Sequence, residues 1–481
     1  VDTTQATAAN RLKLYINGLE VTYSSTTYPS QNVELPFNQA LEHRIGCSTD
    51  NSLYMNGYLA NVHFIDGQAL APTDFGETDS NNNWNPKAYD GTYGTNGFYL
   101  KFADNSPNAA LGTDSSGNSN TWTVNNLVAT AGTDGRPGFD VVTYTGNGGT
   151  QSVTGFSFQP DFVWTKRTDS TSSHGFFDTV RGVGKWMGSN STNSEQTYSD
   201  SLISFDPNGF SIGADSSWGG LNVSSASYVA WGWNAGANSN KTYTVKVVSD
   251  SGNKYRFDNF GTSAVTLDLQ EGSTYIFDQS DSSNAGHPIR FGTSANGTDY
   301  TTHTGTPGSA GAKTTLVLGT GVATLYYSCA NHSGMGGQIN TNSNAGASNF
   351  DGDVQTTVKA SQEYGFSVVS FTAGGSYGMR SFGHGLGTKP SLVITKRRDS
   401  SGDWLVHTDV TGSIAMLKLN GNDAATTGSS ATNYYSVNSN AFSLYHGHYM
   451  DNGWTFINYC WSEIAGYSKI GSYTGIFVNN Q

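Results

Sequence analysis

The chain has 481 residues, a formal net charge of -13, only 13% charged residues and 59 glycines. This length predicts several domains rather than one core. The acidic balance, without a basic cluster, argues against nucleic-acid binding, and no apolar run is long enough to span a bilayer. Aromatic residues make up 12% of the chain and lie in regularly spaced apolar runs, which favours many short β-strands joined by polar turns over disorder.

The first predicted region spans residues 1–136. "LKLYINGLEVT" (12–22) alternates apolar and polar residues around Asn17-Gly18, which predicts a β-hairpin. "NGYLANVHFIDGQAL" (56–70) predicts a second strand pair around Asp66-Gly67, and "GFYLKFAD" (97–104) a further strand. The pattern resembles part of a concanavalin-A/laminin-G-like jelly roll that lacks its early strands. That resemblance implies that residue 1 is not the true start of the protein.

Residues 137–238 and 349–466 are predicted to be two copies of one β-repeat. "GFDVVTYTG" (138–146) matches "GFSVVSFTA" (365–373), and "PDFVWTKRTDS" (160–170) matches "PSLVITKRRDS" (390–400). Recurrence of the Lys-Arg-Asp pattern indicates a turn tied by salt bridges rather than catalysis. A further copy is predicted to begin in 467–481.

Residues 239–348 form a predicted insert of closely spaced strands. Its stretch "LYYSCANHSGMGG" (325–337) places Cys329, His332 and Met335 on one loop, and His287 stands 42 residues before the cysteine. A trigonal copper site uses one thiolate, two imidazoles and a weak axial thioether. The region resembles the cupredoxins, which implies copper bound by these four residues. The alternative is that they are structural residues and that the protein has no cofactor.

Two other groups are weaker candidates. His446 and His448 lie two apart in "YHGHYM", where a metal pair is one interpretation and a solvated histidine pair the favoured one. The loop "TDSNNNWNP" (78–86) offers oxygen ligands for calcium and Trp84 for a sugar, against the favoured reading of a polar loop with a buried tryptophan.

Together these features predict an all-β chain of serial β-sandwich or jelly-roll modules with an inserted cupredoxin-like domain. Their order resembles the tail-fibre and structural proteins of marine tailed phages. The resemblance implies a non-enzymatic protein at the virion surface or outside the cell. It would form a homo-oligomer, often a trimer, contact other virion proteins and a host glycan or receptor, and insert into no membrane. The alternatives are a copper-binding surface protein of the electron-transfer type and a bacterial filament or surface-layer protein. A glycan-degrading enzyme is not supported by a carboxylate pair.

Overall fold

The computed structural model describes residues 1–23, 25–36, 38–39, 41–47, 59, 61–78, 84–102, 111–124, 138–236, 239–295, 297, 300, 302–410, 414–464 and 467–474. They fall into two compact units, Val1–Thr130 and Ala131–Gln481. The described residues confirm the predicted all-β class: antiparallel sheets dominate, and helical turns are short, at Ala8–Asn10, Pro72–Asp74, Ser282–Asn284 and α1 (Ser429–Thr432). No helix in this described part is long and apolar enough to cross a membrane.

Among its described residues, the first unit has three small antiparallel pairs, β1 with β2, β3 with β6 and β4 with β5. Their bounds are β1 (Tyr15–Ile16), β2 (Leu19–Glu20), β3 (Val62–Phe64), β4 (Gly76–Thr78), β5 (Trp84–Pro86) and β6 (Phe98–Leu100). The predicted hairpin at Asn17-Gly18 is confirmed. Both turn residues have positive φ, 49° and 77°, as the tight turn between twisted strands requires.

The predicted strand pair around Asp66-Gly67 is wrong. Strand β3 pairs with the distant β6, and no strand follows Gly67 directly. Asp66 instead ties loops together, because its N–H donates to the Tyr93 carbonyl (2.9 Å) and its carboxylate accepts the Asn96 N–H (3.0 Å). A turn residue whose polar groups are engaged by another loop does not return the chain along the same strand.

Copy one of the repeat forms two main sheets in the second unit. Its strands are β7 (Phe139–Thr145), β8 (Gln151–Thr154), β9 (Phe162–Arg167), β10 (Gly175–Asp178), β11 (Lys185–Trp186), β12 (Gln196–Thr197), β13 (Leu202–Asp206), β14 (Gly209–Ile212) and β15 (Ser227–Trp233). The large sheet has the order β10-β9-β15-β7 and the small sheet β13-β14-β8.

The insert folds as a sandwich of a five-stranded sheet, β17-β16-β19-β22-β21, and a four-stranded sheet, β18-β24-β23-β20. Its strands are β16 (Lys241–Ser249), β17 (Asn253–Phe257), β18 (Leu267–Gln270), β19 (Thr274–Asp278), β20 (Ile289–Gly292), β21 (Thr302–Thr304), β22 (Lys313–Val317), β23 (Leu325–Cys329) and β24 (Gly337–Asn342). Fully buried aromatic rings, among them Tyr243, Phe257 and Phe277, fill the space between the sheets.

Copy two repeats the strand order of copy one and extends it. Its strands are β25 (Ala347–Asn349), β26 (Thr356–Ser361), β27 (Phe366–Thr372), β28 (Gly378–Gly383), β29 (Leu392–Arg397), β30 (Leu405–Thr408), β31 (Ala415–Lys418), β32 (Tyr435–Val437), β33 (Ala441–His446) and β34 (Thr455–Trp461). The order β30-β29-β34-β27 matches the large sheet of copy one, and β32-β33-β28 matches the small one. Strands β25, β26 and β31 widen the large sheet.

The large sheets of the two copies pack against each other. Phe162 and Phe176 of copy one lie in one apolar cluster with Phe366 and Tyr459 of copy two, and the Phe162 and Tyr459 rings are 4.2 Å apart. The opposite face of each large sheet packs on its own small sheet. The central strands of each large sheet are therefore covered on both faces, whereas the edge strand β7 keeps exposed positions such as Val141, which is 43% exposed.

The predicted further copy in 467–481 is not tested. Its described part, 467–474, contains no strand, and 475–481 lie outside the described residues.

Candidate metal centre

Two paired strands bring the predicted ligands together. Cys329 ends β23 and pairs with Ile289, the first residue of β20. His287 stands two residues before β20, and the Ala330 N–H donates to the Pro288 carbonyl (2.9 Å), which closes this end of the ladder. The loop that follows Cys329 carries His332. Residues 42 apart in sequence thus meet because the antiparallel register places them side by side.

The three side chains present their metal-binding atoms to one point. Cys329 Sγ lies 3.7 Å from His287 Nδ1 and 3.6 Å from His332 Nδ1. All three donor atoms lie within 4.8 Å of one another, and within the described residues this is the one group of three such side chains close enough to hold an ion. Ligands about 2.0–2.3 Å from one ion, with angles of about 110–120° between them, are about 3.5–3.8 Å apart. The two sulfur–nitrogen distances fit that geometry.

Met335 lies in the apolar core of the same sandwich. Its side chain is 1% exposed and belongs to the same apolar cluster as Cys329. The Tyr255 N–H donates to the Met335 carbonyl (3.0 Å), which ties the loop to β17. At Gly336 a Cβ would lie 1.7 Å from the Tyr327 carbonyl oxygen, so only glycine permits this close approach. The loop is thus drawn against the sandwich, with the thioether directed inward.

Hydrogen bonds around the cluster fix its backbone. The His287 carbonyl accepts from the Tyr255 hydroxyl (2.9 Å) and from the Gln279 side-chain amide (2.8 Å). The Asn331 N–H donates to Cys329 Sγ (3.4 Å), and its side chain donates to the Gly286 carbonyl (2.9 Å). This N–H contact holds the sulfur in place beside the two imidazoles. Sequence reasoning missed Tyr255 because it lies 32 residues before His287, and it missed the others because they look like ordinary polar or glycine loop residues.

The cluster has a buried floor and an open side. Cys329 is 1% exposed, whereas His287 is half-buried and His332 is exposed. Partial burial and the neighbouring His332 lower the pKa of His287, so the ring is neutral at physiological pH. A neutral imidazole is the form that coordinates a metal. The residues present therefore fit a soft, nitrogen- and sulfur-binding ion such as copper.

The other predicted candidates are not brought into a metal site in the described residues. His446 is 3% exposed and its Nε2 lies 3.1 Å from Asn452 Oδ1, so the interpretation as a solvated pair is wrong for this residue. His448 is exposed and packs on the Tyr434 ring at 4.0 Å. A strand residue facing the core and a turn residue facing solvent do not share one ion.

Trp84 packs on backbone in the first unit. A Cβ at Gly18 or Gly76 would lie within 2.6 Å of its indole ring, so the ring packs closely on the chain at both glycines. Trp84 is half-buried, and this packing favours the interpretation as a structural tryptophan over sugar stacking. The calcium candidates of that loop, Asp79 and Asn81 to Asn83, lie outside the described residues.

The repeated basic-acidic turns are tied by salt bridges, as predicted. Arg167 donates to Asp169 (2.6 Å) and Arg397 to Asp399 (2.8 Å), and each aspartate lies two residues after its arginine. The lysine before each arginine also turns inward. Lys396 Nζ donates to the Gly402 carbonyl (2.9 Å), and Lys166 Nζ to the Ser170 carbonyl (2.8 Å). These turns are structural features of the repeat.

Fold and site together define an all-β protein of several packed sandwich units, one of which gathers two imidazoles and a thiol. The family described as a domain of unknown function (DUF7483) matches residues 136–267 and 338–480, which is more than half of the chain. The chain belongs to this family. Residues 268–337, which contain all four candidate ligands, lie between the two matched segments. Searches among curated proteins and among solved structures found no match.

Proposed function

We propose that the insert, residues 239–348, is a cupredoxin-like module that binds one copper ion through His287, Cys329 and His332, with Met335 as a weak fourth ligand. The observation that carries the proposal is the pair of imidazole Nδ1 atoms 3.7 and 3.6 Å from one buried thiol sulfur. Copper bound in this way supplies one-electron chemistry. The protein's part is to hold the donors, keep His287 neutral and leave an open side at His332.

The donor set favours copper over zinc. Structural zinc sites are closed by four strong ligands, most often cysteine and histidine. The fourth ligand proposed here is a buried methionine, whose thioether suits copper and binds zinc poorly. The described residues contain no further cysteine, aspartate or glutamate in the group.

Titration of the full chain with copper(II), followed by visible absorption, tests this proposal. We expect an intense thiolate-to-copper charge-transfer band that saturates at one ion per chain and is absent in Cys329→Ser. Cys47→Ser is the matched control, because Cys47 is a free, partly exposed cysteine that lies in the first unit, outside the metal centre. A folded protein without this band, or a band that survives in Cys329→Ser, would contradict the proposal.

We also propose that the chain as a whole is a non-enzymatic structural protein at the surface of a virion, where it contacts the host as a homo-oligomer. Its modular order resembles that of phage tail fibres. The observation that favours it is the joining of the two copies through an apolar cluster and ion pairs, since a rigid scaffold suits a projecting protein. A bacterial filament or surface-layer protein is the alternative.

Immunogold labelling of virions and mass measurement in solution test this second proposal. We expect label on projecting fibres and a defined homo-oligomer, such as a trimer. Label on host-cell filaments would favour the bacterial alternative. A monomer that is absent from virions would contradict the proposal.

A further inference from the structure

A cleft lies in the second unit where copy one, the insert and copy two meet. Its volume is about 260 Å³. Copy one contributes 159, 179, 182–183 and 203–205, the insert contributes 270 and 343–345, and copy two contributes Lys359. We call it the junction cleft. Sites for drug-sized ligands measure about 300–1,000 Å³, so this volume fits one small ring better than an extended ligand.

A buried ammonium group forms the base of the junction cleft. Lys359 is 2% exposed, and its Nζ lies 3.0 Å from Asp161 Oδ1. Asp161 is also 2% exposed and accepts from the Thr179 hydroxyl (2.9 Å) and the Ala235 N–H (2.8 Å). The carboxylate is therefore satisfied by three donors.

The ammonium group is not satisfied to the same extent. A lysine ammonium carries three N–H donors. Across the described ranges, Asp161 is the one acceptor that the structure gives to Lys359 Nζ. Buried donors without acceptors are costly, so the remaining N–H groups require acceptors from what fills the cleft.

The rim of the cleft combines amides with apolar groups. Gln159 and Asn344 are exposed, and neither side-chain amide is hydrogen-bonded to protein within the described residues. Val183 is 50% exposed and Ile203 is 36% exposed beside them. A sugar ring presents hydroxyl groups at its edge and C–H groups on its faces, so it matches amides next to an apolar wall.

The net charge at the bottom of the cleft favours a neutral polar ligand over an anion. Because Asp161 neutralises Lys359, the cleft carries no net charge to attract an anion, and the lysine acts as a hydrogen-bond donor. In copy two the position that corresponds to Asp161 is Ser391, since Pro160 corresponds to Pro390. The Lys359–Asp161 ion pair is therefore specific to the place where the modules meet and has no counterpart at the equivalent position of copy two.

We infer that the junction cleft binds one neutral hexose unit of a glycan, with Lys359, Gln159 and Asn344 donating to its hydroxyl groups. The inference gives a ligand class to the proposed surface role, and it rests on that role for its biological meaning. It is independent of copper, since none of the metal-centre residues lines the cleft.

The test is binding of methyl glucoside, methyl galactoside, methyl mannoside and N-acetylglucosamine to the full chain, by saturation-transfer difference NMR and calorimetry. At least one should bind with a millimolar Kd. The double variant Gln159→Ala/Asn344→Ala should weaken that binding at least about tenfold. It should still fold, because both amides are exposed and free of protein hydrogen bonds in the described residues. Gln362→Ala, an exposed amide outside the cleft, should bind normally.

A second double variant tests the Lys359–Asp161 pair at the bottom of the cleft without leaving an unpaired buried charge. Lys359→Met/Asp161→Asn removes both charges together and should abolish binding while the visible copper titration stays unchanged. The inference is overturned if none of the four sugars binds, if binding survives both double variants, or if only a charged sugar acid binds. If the protein is found on virions by immunogold labelling but binds none of the sugars, this inference alone is contradicted. If the protein binds a sugar but is absent from virions, the proposed role at the virion surface is contradicted instead.

Discussion

The two repeat copies share one strand order but differ in what their sheets bury. Phe177 of β10 pairs with Val163, and the corresponding partner of Val393 in copy two is His407. Phe177 packs in an apolar cluster, whereas His407 is 1% exposed and neither ring nitrogen has a partner in the described residues. Its ring lies flat on Tyr435 at 3.8 Å. Backbone pairing thus preserves the fold while single core positions diverge.

Copy one has a buried carboxyl with a strongly shifted pKa at a different position, Asp215. Asp215 is 1% exposed; its Oδ2 accepts the Leu221 N–H (2.5 Å) and its Oδ1 has no partner in the described part of the chain. Burial, with the nearby Asp200 carboxylate adding to it, raises the pKa of Asp215 to about 6. In copy two, burial lowers the pKa of His407 to about 3. The two copies therefore respond to pH in opposite directions.

The largest expected effect comes from removing a buried charge where copy one meets copy two, since Arg181 donates to the Tyr459 hydroxyl and that hydroxyl donates to Asp178. Arg181→Met leaves the Asp178 carboxylate, 0% exposed, without its guanidinium partner. We expect a loss of about 3–5 kcal/mol in the free energy of unfolding, measured by denaturant titration, because an unpaired buried charge is left behind. The reciprocal variant Arg398→Met removes a partner of Glu195, which is 13% exposed and keeps Arg181. It should cost less than about 2 kcal/mol. Equal losses would contradict the asymmetry.

The second-largest effect on stability is expected when the buried His407 of copy two is replaced by phenylalanine, the residue at the corresponding position of copy one. His407→Phe should raise the free energy of unfolding by about 1–3 kcal/mol at neutral pH, because two desolvated nitrogens without partners are removed. It should also remove an acid response. The folded pKa of about 3 lies below the ordinary value of 6.5, so the unfolded chain binds the proton first and stability falls as pH drops from 6.5 towards 3.

Phe177→His is the matched converse of that change. It should destabilise the protein and steepen its acid response. Unfolding titrations of both variants at several pH values between 4 and 7 provide the measurement. If His407→Phe unfolds with the same pH dependence as the parent chain, then His407 is not the group responsible.

Asp215→Asn should remove a loss of stability that occurs as pH rises, the opposite direction to the His407 effect. A carboxyl with a folded pKa of about 6 and an ordinary value of 3.8 holds its proton more tightly in the folded state. Stability should therefore fall by about 1–3 kcal/mol as pH rises from 4 to 7, and the asparagine variant should lose most of this dependence. Thermal unfolding across that range measures it. A variant as pH-sensitive as the parent would assign the effect to another group.

The smallest effect is expected where the copies are most alike. Asp169→Asn and Asp399→Asn each break a salt bridge whose aspartate is 41% or 37% exposed. Each should cost less than about 1 kcal/mol in denaturant titrations, because partly exposed ion pairs contribute little. A clearly larger loss in only one copy would show that this turn has acquired a separate role there.

Local sequence signals predicted the fold where contacts are close in sequence or repeated. The Asn17-Gly18 hairpin followed from turn chemistry, and the Arg167 and Arg397 salt bridges followed from a short pattern that occurs twice. The pairing of β3 with β6 was missed because its partners lie far apart and Asp66-Gly67 imitates a hairpin turn. Turn propensity does not reveal which strand will pair across a long loop.

For the metal centre, the sequence determined the ligand types and their spacing on one loop. Cys329, His332 and Met335 are near neighbours, and His287 was predicted from its position before an apolar strand. Only the tertiary structure decided that the register of β20 and β23 aligns both imidazoles on one sulfur. The packing of the copies and the buried Lys359–Asp161 pair had no sequence signal, since they join residues almost 200 positions apart. Periodicity and turn residues report neighbours along the chain, whereas burial and charge pairing depend on which distant surfaces exclude water together.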